Sequence, residues 1–196
     1  MFVLVGCVKT EEADIFFLID HSGSIEPQDF TDMKKFIIEF VHKLRIGPDF
    51  VRVGVAKYAD EPNLEFDLTN YTDVQSLEKG IVNTRHIGGG TKTGRALSFM
   101  TQLFDRGAVT RGHQAAKYLI VITNGKSTDK VKLPAEKLRD QGIIIYAIGV
   151  KSAVEAELQD IAGSRHRMFM VNNFDALRPI NDEIMTDICA QDGKRS

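Results

Sequence analysis

The sequence has no long apolar run and no excess of basic residues. Of its 196 residues, 43% are hydrophobic, yet no stretch reaches the roughly 18 consecutive apolar residues that a transmembrane helix requires. The formal net charge is −2, whereas proteins that bind the nucleic acid backbone carry a clear excess of Lys and Arg. We therefore expect one soluble globular domain with a sizeable core, without a membrane span and without a nucleic acid partner.

Residue patterns typical of catalysis are also missing. The sequence has no Gly-x-Ser-x-Gly elbow, neither cysteine lies beside a candidate base, and the histidines lack the short helical spacing of zinc sites. The five histidines are His21, His42, His86, His113 and His166. We expect them to be surface or partly buried structural residues, and His21 alone is placed to line the mouth of a site.

Two segments resemble enzyme motifs but lack an essential residue. Residues 89–93 resemble a phosphate-binding loop, but that motif needs Gly directly before the Lys, where this chain has Thr91. Phosphotransferases of the haloacid dehalogenase type also begin with a strand that ends in Asp, as at Asp20. Their general acid is a second Asp two residues later, where this chain has Ser22. The sequence therefore does not predict an enzyme.

A buried strand that ends in a polar cluster is the feature around which the chain is organised. Residues 15–19 are all large and apolar, as in a strand covered on both faces, and they lead directly into Asp20, Ser22 and Ser24. Carboxylate and hydroxyl oxygens at alternate positions suit a hard cation such as Mg²⁺. The alternative is that the two serines only form a turn and cap the next helix.

Strands and helices alternate along the rest of the chain without repeats or a dividing linker. Hydrophobic periodicity and turn residues predict strands at 15–19, 50–58, 63–68, 118–123, 143–150 and 168–171, and helices at 27–44, 73–80, 94–104, 134–141, 155–162 and 174–188. A hairpin at 50–68 would add one antiparallel edge strand. The predicted fold is a doubly wound, mostly parallel α/β sheet of Rossmann-like type, with helices on both faces.

Three segments together resemble a known family. They are Asp-His-Ser-Gly-Ser at 20–24, Gly-Gly-Gly-Thr-Lys-Thr-Gly at 88–94 and Val-Ile-Thr-Asn-Gly at 121–125. In order, spacing and surroundings they resemble the metal-site loops of a von Willebrand factor type A (VWA) domain. The sequences of these loops and their flanks are most similar to those of the A modules in the long alpha chain of type VI collagen. The resemblance covers 14–189, which leaves an N-terminal extension at 1–13, rather than a secretion signal, and a tail at 190–196.

The resemblance implies a non-enzymatic adhesion or assembly module that is secreted into the extracellular matrix. Its metal-ion-dependent adhesion site would bind Mg²⁺ or Mn²⁺ through Asp20, Ser22, Ser24, Thr91 and Asn124, and an acidic side chain of a protein partner would complete the shell. Partners would be matrix proteins or neighbouring A modules, and the isolated domain would be a monomer. The alternative is a structural module that assembles microfibrils through metal-independent surface contacts.

One residue departs from the family pattern. The family usually has Asp where this chain has Asn124, so one formal negative charge beside the ion is lost. Two unit charges about 4 Å apart interact by roughly 1 to 4 kcal/mol, depending on the dielectric. We therefore expect a degenerate site with weak affinity, which can be empty at physiological Mg²⁺ concentrations.

Two further features bear on the compartment. Cys7 and Cys189 lie just outside the two ends of the inferred fold, and because domain termini are often neighbours, a disulfide between them is sterically reasonable. Two free buried thiols are the alternative. Asn70-Tyr71-Thr72 is a glycosylation acceptor pattern in a predicted surface loop, although such patterns also arise by chance.

Overall fold

Strands and helices alternate in the computed structural model, which describes residues 12–192. Within these residues the strands are β1 (Ala13–Asp20), β2 (Val51–Tyr58), β3 (Pro62–Phe66), β4 (Ala116–Thr123), β5 (Ile143–Val150) and β6 (Met168–Val171). The α-helices are α1 (Pro27–Val41), α2 (Val74–Val82), α3 (Thr93–Arg111), α4 (Lys132–Asp140), α5 (Glu155–Ala162) and α6 (Arg178–Asp192). No helix in the described residues has both the length and the apolarity needed to cross a membrane.

The six strands form one sheet in the order β3-β2-β1-β4-β5-β6. All neighbouring pairs are parallel except β2 and β3, which are antiparallel. This arrangement confirms the predicted doubly wound sheet with one antiparallel edge strand. After β1 the chain forms β2 and β3 on one side of β1. It then returns and forms β4, β5 and β6 on the other side. The strand order therefore reverses between β1 and β4, which is where open α/β sheets form their ligand crevice.

Two hydrophobic layers, one on each face of the sheet, explain why the middle of β1 is apolar. Ile15, Phe17 and Ile19 pack in the layer that contains α1, α2 and α6. Phe16 and Leu18 point to the opposite layer, which contains α3, α4 and α5. Because successive side chains of a strand alternate between faces, a strand buried on both sides cannot contain an alternating polar position. The chain can place its polar residues only where the strand ends.

The base of the domain, opposite the crevice, contains a buried ionic cluster. The Arg52 guanidinium donates two hydrogen bonds of 2.8 Å to the two Asp14 oxygens, and Arg111 donates another of 2.8 Å. Arg52 also donates to the Gly107 carbonyl oxygen. Asp14 lies at the start of β1 and Arg111 in the last turn of α3, so the cluster fixes that helix end to the centre of the sheet.

Helix ends were the least accurate part of the prediction. Helix α3 extends to Arg111 instead of ending near residue 104, because the cluster at the base holds its polar last turns. Gly112, with φ of 84°, then ends the helix in the left-handed conformation that glycine adopts easily. The predicted last helix is instead a short 3₁₀ helix at Phe174–Leu177 followed by α6.

The terminal predictions lie partly outside the described residues. Cys7 and the rest of residues 1–11 are among the undescribed residues, as are 193–196. Cys189 is half-buried on α6 and packs against the hydrophobic layer that contains α1. The boundaries at 14 and 189 and the Cys7–Cys189 pairing therefore stay predictions.

Candidate metal centre

The crevice between β1 and β4 is where the polar residues meet. β1 ends at Asp20 and β4 ends at Thr123, and the parallel register aligns Ile19 with Ile122. Asp20 and Asn124 therefore emerge side by side although they are 104 residues apart in sequence. The fold itself brings together the first and third of the three sequence segments.

Asp20 is a fully buried carboxylate held by neutral donors. Its Oδ1 accepts the Ser22 amide at 2.8 Å, and its Oδ2 accepts the Thr123 hydroxyl at 2.9 Å and the Asn124 amide at 3.4 Å. Burial raises the pKa of Asp20, and these hydrogen bonds act against the rise without cancelling it. No Lys, Arg or His of residues 12–192 forms an ion pair with it.

Asp14 provides the comparison within the same strand. It is 2% exposed and Asp20 is 0% exposed, so both carboxylates of β1 are removed from water. Two guanidinium groups contact Asp14, whereas the partners of Asp20 among residues 12–192 are uncharged. A buried charge that lacks a countercharge is costly by several kcal/mol in order of magnitude, and a bound cation would offset that cost.

Three further side-chain oxygens continue outward from Asp20. The hydroxyl oxygens of Ser22 and Ser24 are 3.2 Å apart, and the Ser24 hydroxyl donates to Asn124 Oδ1 at 3.2 Å. Adjacent ligands of an octahedral Mg²⁺ at 2.0–2.1 Å are about 3 Å apart, so these separations are close to the edges of such a shell. Asn124 is 4% exposed and Ser24 is exposed, so the cluster is buried below and open above.

A glycine-rich loop closes one side of the cluster. The Gly23 amide donates to Gly89 O at 2.9 Å, and the Gly88 amide donates to His21 O at 3.1 Å. Gly88 and Gly89 have φ of 97° and 121°, which side-chain-bearing residues rarely adopt. This close backbone approach packs the glycine-rich loop, which continues through Gly90 to Thr91, against the Asp-x-Ser-x-Ser segment. Thr91 O in turn accepts the Thr128 amide at 2.9 Å.

The structure brings four of the five sequence-predicted residues into contact. Direct hydrogen bonds connect Asp20, Ser22, Ser24 and Asn124, whereas the contacts of Thr91 are made by its backbone oxygen with Thr128, and its place in the site stays a prediction. Within residues 12–192 no three His, Cys, Asp or Glu side chains are grouped to hold a metal. A cation here would therefore rely on one carboxylate, hydroxyls, an amide oxygen and water. This oxygen-only donor set suits Mg²⁺ or Mn²⁺.

Sequence reasoning missed two residues of this site, Thr123 and His86. Thr123 is the last residue of β4, and its hydroxyl contacts Asp20 because the two strand ends are adjacent. The position of Thr123 at the end of an apolar strand was a sequence signal that could have placed it in the site. His86 Nε2 lies 2.8 Å from Ser22 O and its ring packs on Phe30, and nothing in the local sequence indicated either contact.

His21 does not line the mouth of the site as expected. It is 3% exposed and points inward, where its Nδ1 accepts the Ile87 amide at 3.4 Å. Burial, followed by the positive charge of Lys57, lowers the pKa of His21 from 6.5 to about 4. His21 and His86 therefore hold the glycine-rich loop against the Asp-x-Ser-x-Ser segment from below.

Neutral His21 should make the domain sensitive to acid. The unfolded chain takes up a proton at this residue near pH 6.5 and the folded chain only near pH 4, so the His21 contribution to stability is complete above 6.5 and falls between these values. His21→Asn retains an acceptor for the Ile87 amide but does not titrate, so its unfolding free energy should fall less steeply in this window. Denaturant titrations at several pH values measure the slopes. An unchanged slope in His21→Asn would contradict the assignment.

Comparisons with known proteins agree with the geometry. The profile of the von Willebrand factor type A domain matches residues 14–183. The mouse collagen alpha-6(VI) chain is 47% identical over 190 residues, which is 97% of this chain and 8% of the relative. The mouse collagen alpha-4(VI) chain is 47% identical over 191 residues, 97% of this chain and 8% of the relative. The transmembrane cell adhesion receptor mua-3 of Caenorhabditis elegans is 41% identical over 177 residues, 88% of this chain and 5% of the relative.

Solved structures show the same fold. Proximal thread matrix protein 1 from the mussel byssus superposes with a TM-score of 0.84 at 28% identity, covering 95% of this chain and 47% of that protein. A second structure of the mussel protein, with the same score and coverage, has a zinc-occupied MIDAS motif, the metal-ion-dependent adhesion site. Together with the central sheet and the three loops at its carboxyl edge, these similarities show that the chain belongs to the von Willebrand factor type A domain family.

Proposed function

We propose that this chain is a non-enzymatic adhesion or assembly module of the extracellular matrix with a weakened metal-ion-dependent adhesion site. The observation that carries the proposal is a buried Asp20 carboxylate with no cationic partner among the described residues, beside hydroxyl oxygens at ligand spacing. The relatives named above include collagen chains and a cell adhesion receptor. This chain spans less than a tenth of those relatives, so its role within a longer protein is part of the proposal.

In this proposal the ion is bound by Asp20, Ser22, Ser24, Thr91 and Asn124, directly or through water. The protein holds the oxygens in place, and the exposed side of the cluster leaves room for an acidic side chain of a matrix protein or neighbouring module. The ion would supply the positive charge that attracts that carboxylate. The partner thus provides the second negative charge that Asn124 does not.

The second candidate, a metal-independent structural module, is favoured by the hydrogen bonding of Asn124. Its amide oxygen accepts from Ser24, and Asp20 accepts from three donors, so the cluster is satisfied without an ion. An Asp at 124 would instead face Asp20 across the crevice and need a cation between them. Metal dependence of partner binding separates the two candidates.

An enzyme is disfavoured by the contacts of the histidines nearest the serines. His86 contacts the Ser22 backbone oxygen, and His21 accepts the Ile87 amide. In the described part of the chain neither ring is hydrogen-bonded to a serine hydroxyl of the cluster, so the nucleophile-base pair that acyl transfer needs is not present there.

Restoring the missing charge should strengthen the site. In Asn124→Asp the added carboxylate is worth roughly 1 to 4 kcal/mol beside a cation, so Mg²⁺ and Mn²⁺ affinity should rise by about one to three orders of magnitude. Ion binding to the folded state alone should then raise the melting temperature. Calorimetric titration and thermal unfolding with and without ion measure both effects.

Two control variants accompany that experiment. Asp20→Ala should abolish binding, also when combined with Asn124→Asp. Asn70→Asp adds the same charge in the loop after β3, at the opposite edge of the sheet, and should leave ion affinity at the wild-type value. If Asn124→Asp binds Mg²⁺ no more tightly than wild type, the lost charge does not limit this site and the structural module is favoured.

The disulfide between Cys7 and Cys189 is a further proposal. Joining residues so far apart in sequence constrains the unfolded chain by about 5 kcal/mol in the entropic model, less any strain. Cys189→Ala should therefore lower the melting temperature of non-reduced protein and have little effect after reduction. Intact mass and thiol titration give the direct measurement, and two free thiols in protein from an oxidising compartment would show that the pairing is wrong.

Glycosylation at Asn70 is also proposed from the structure of its loop. Asn70 and Thr72 are exposed, and Asn70 Oδ1 accepts the Asp67 amide at 2.6 Å, which does not engage Nδ2, the atom to which a glycan is attached. Protein secreted from animal cells should contain a glycan at Asn70, and Thr72→Ala should lose it. Peptide mapping after glycosidase treatment shows whether Asn70 is glycosylated. Fully unmodified Asn70 in secreted protein would refute this site.

A further inference from the structure

The Asn124–Gly125 peptide lies in the bend that follows β4, beside open space. A Cβ added to Gly125 would meet no atom within 4 Å. The Gly125 amide has one weak contact, to Thr123 Oγ1 at 3.4 Å. Asn124 is held through its Oδ1, which accepts from Ser24. The Gly125 amide nitrogen directly follows Asn124 in the chain. Because Gly125 has no side chain, no side-chain atom of residue 125 hinders the approach of this nitrogen to Asn124 Cγ.

A hydrogen-bond path leads from this amide to a carboxylate. The Gly125 N–H donates to Thr123 Oγ1, and the Thr123 hydroxyl donates to Asp20 Oδ2 at 2.9 Å. A backbone amide becomes nucleophilic only when its proton is removed. The Thr123 hydroxyl and the Asp20 carboxylate thus lie next to this amide, so residues of the candidate metal centre also surround the peptide.

We propose that Asn124 is a self-modification site at which deamidation replaces its amide by a carboxylate. The Gly125 nitrogen attacks Asn124 Cγ, the N–Cγ bond forms and the Cγ–Nδ2 bond breaks. Nδ2 leaves as ammonia, with the proton that the Gly125 nitrogen gives up, and a five-membered succinimide ring remains. Water then adds at Cγ, the N–Cγ bond breaks, and Gly125 recovers its amide hydrogen while residue 124 becomes Asp.

The direction of ring opening matters for the site. Addition of water at the backbone carbonyl would give isoaspartate, which inserts one methylene into the main chain. The main chain that enters the ring is fixed, because Thr123 pairs with Gly149 and the Asn124 amide contacts Asp20. Opening at Cγ restores the original backbone and is the outcome that this arrangement favours.

The consequence rests on the proposed function. The new carboxylate would lie beside Ser24 and across from Asp20, where a cation between the two acids would be bound more tightly than in the newly made protein. Slow loss of ammonia would thus activate the metal site with age. The partner class of the aged module is then a carboxylate-bearing protein that binds through the ion.

The test follows residue 124 during incubation of the folded protein near neutral pH at body temperature. Peptide mapping by mass spectrometry should show the amide-to-acid mass gain at Asn124, with Asn70 and Asn83 unchanged as internal controls. Gly125→Ala, which the open space accommodates, should convert several-fold more slowly because its Cβ hinders the attack. Protein unfolded in denaturant serves as a positive control for the chemistry.

Three results overturn the proposal. They are an intact Asn124 in folded protein while the unfolded chain converts, isoaspartate as the main product, and equal rates in wild type and Gly125→Ala. Mg²⁺ titration of aged protein should show affinity approaching that of Asn124→Asp. If conversion occurs and neither aged protein nor Asn124→Asp gains affinity, the modification stands and the metal proposal fails. If Asn124→Asp gains affinity and no conversion occurs, the metal proposal stands and the modification proposal fails.

Discussion

The cost of burying the Asp20 carboxylate shapes the upper edge of this domain. Asp20 ends a strand covered on both faces, so its carboxylate cannot reach bulk water, and it is stabilised by the donors that its neighbours supply. The amides of Ser22 and Asn124 and the hydroxyl of Thr123 come from two different strand ends. The two segments that follow β1 and β4 are therefore positioned by the requirement that one buried charge be solvated by protein.

The two ends of β1 satisfy this requirement in different ways. At the base, Asp14 is neutralised by Arg52 and Arg111, and the result is a closed ionic cluster that anchors α3. At the top, the Asp20 carboxylate is buried with neutral partners in the described residues, and the exposed Ser24 lies at the outer side of its cluster. The permanently paired end has a structural role, and the unpaired end is the one suited to binding.

Asn124 sets how strongly that upper edge demands a cation. With Asp at this position, two acids would share the crevice and repel each other unless an ion lay between them. With Asn, the Ser24 hydroxyl bonds to the amide oxygen and the cluster is stable by hydrogen bonding alone. In the proposed function, the amide nitrogen of Asn124 in place of a carboxylate oxygen lowers the affinity for the ion, because the amide has no net charge.

The sequence by itself determined the strands and the doubly wound, mostly parallel sheet with one antiparallel edge strand, since apolar runs and turn residues are local signals. It predicted the bounds of β5, α5 and β6 as the structure has them, and it identified Asn124 as the departure from the family pattern. Only the tertiary structure decided that α3 continues to Arg111, that His21 points inward and that Thr123 supports Asp20. These features depend on partners far away in sequence, and a residue's burial or hydrogen bonding is set by what the fold places next to it.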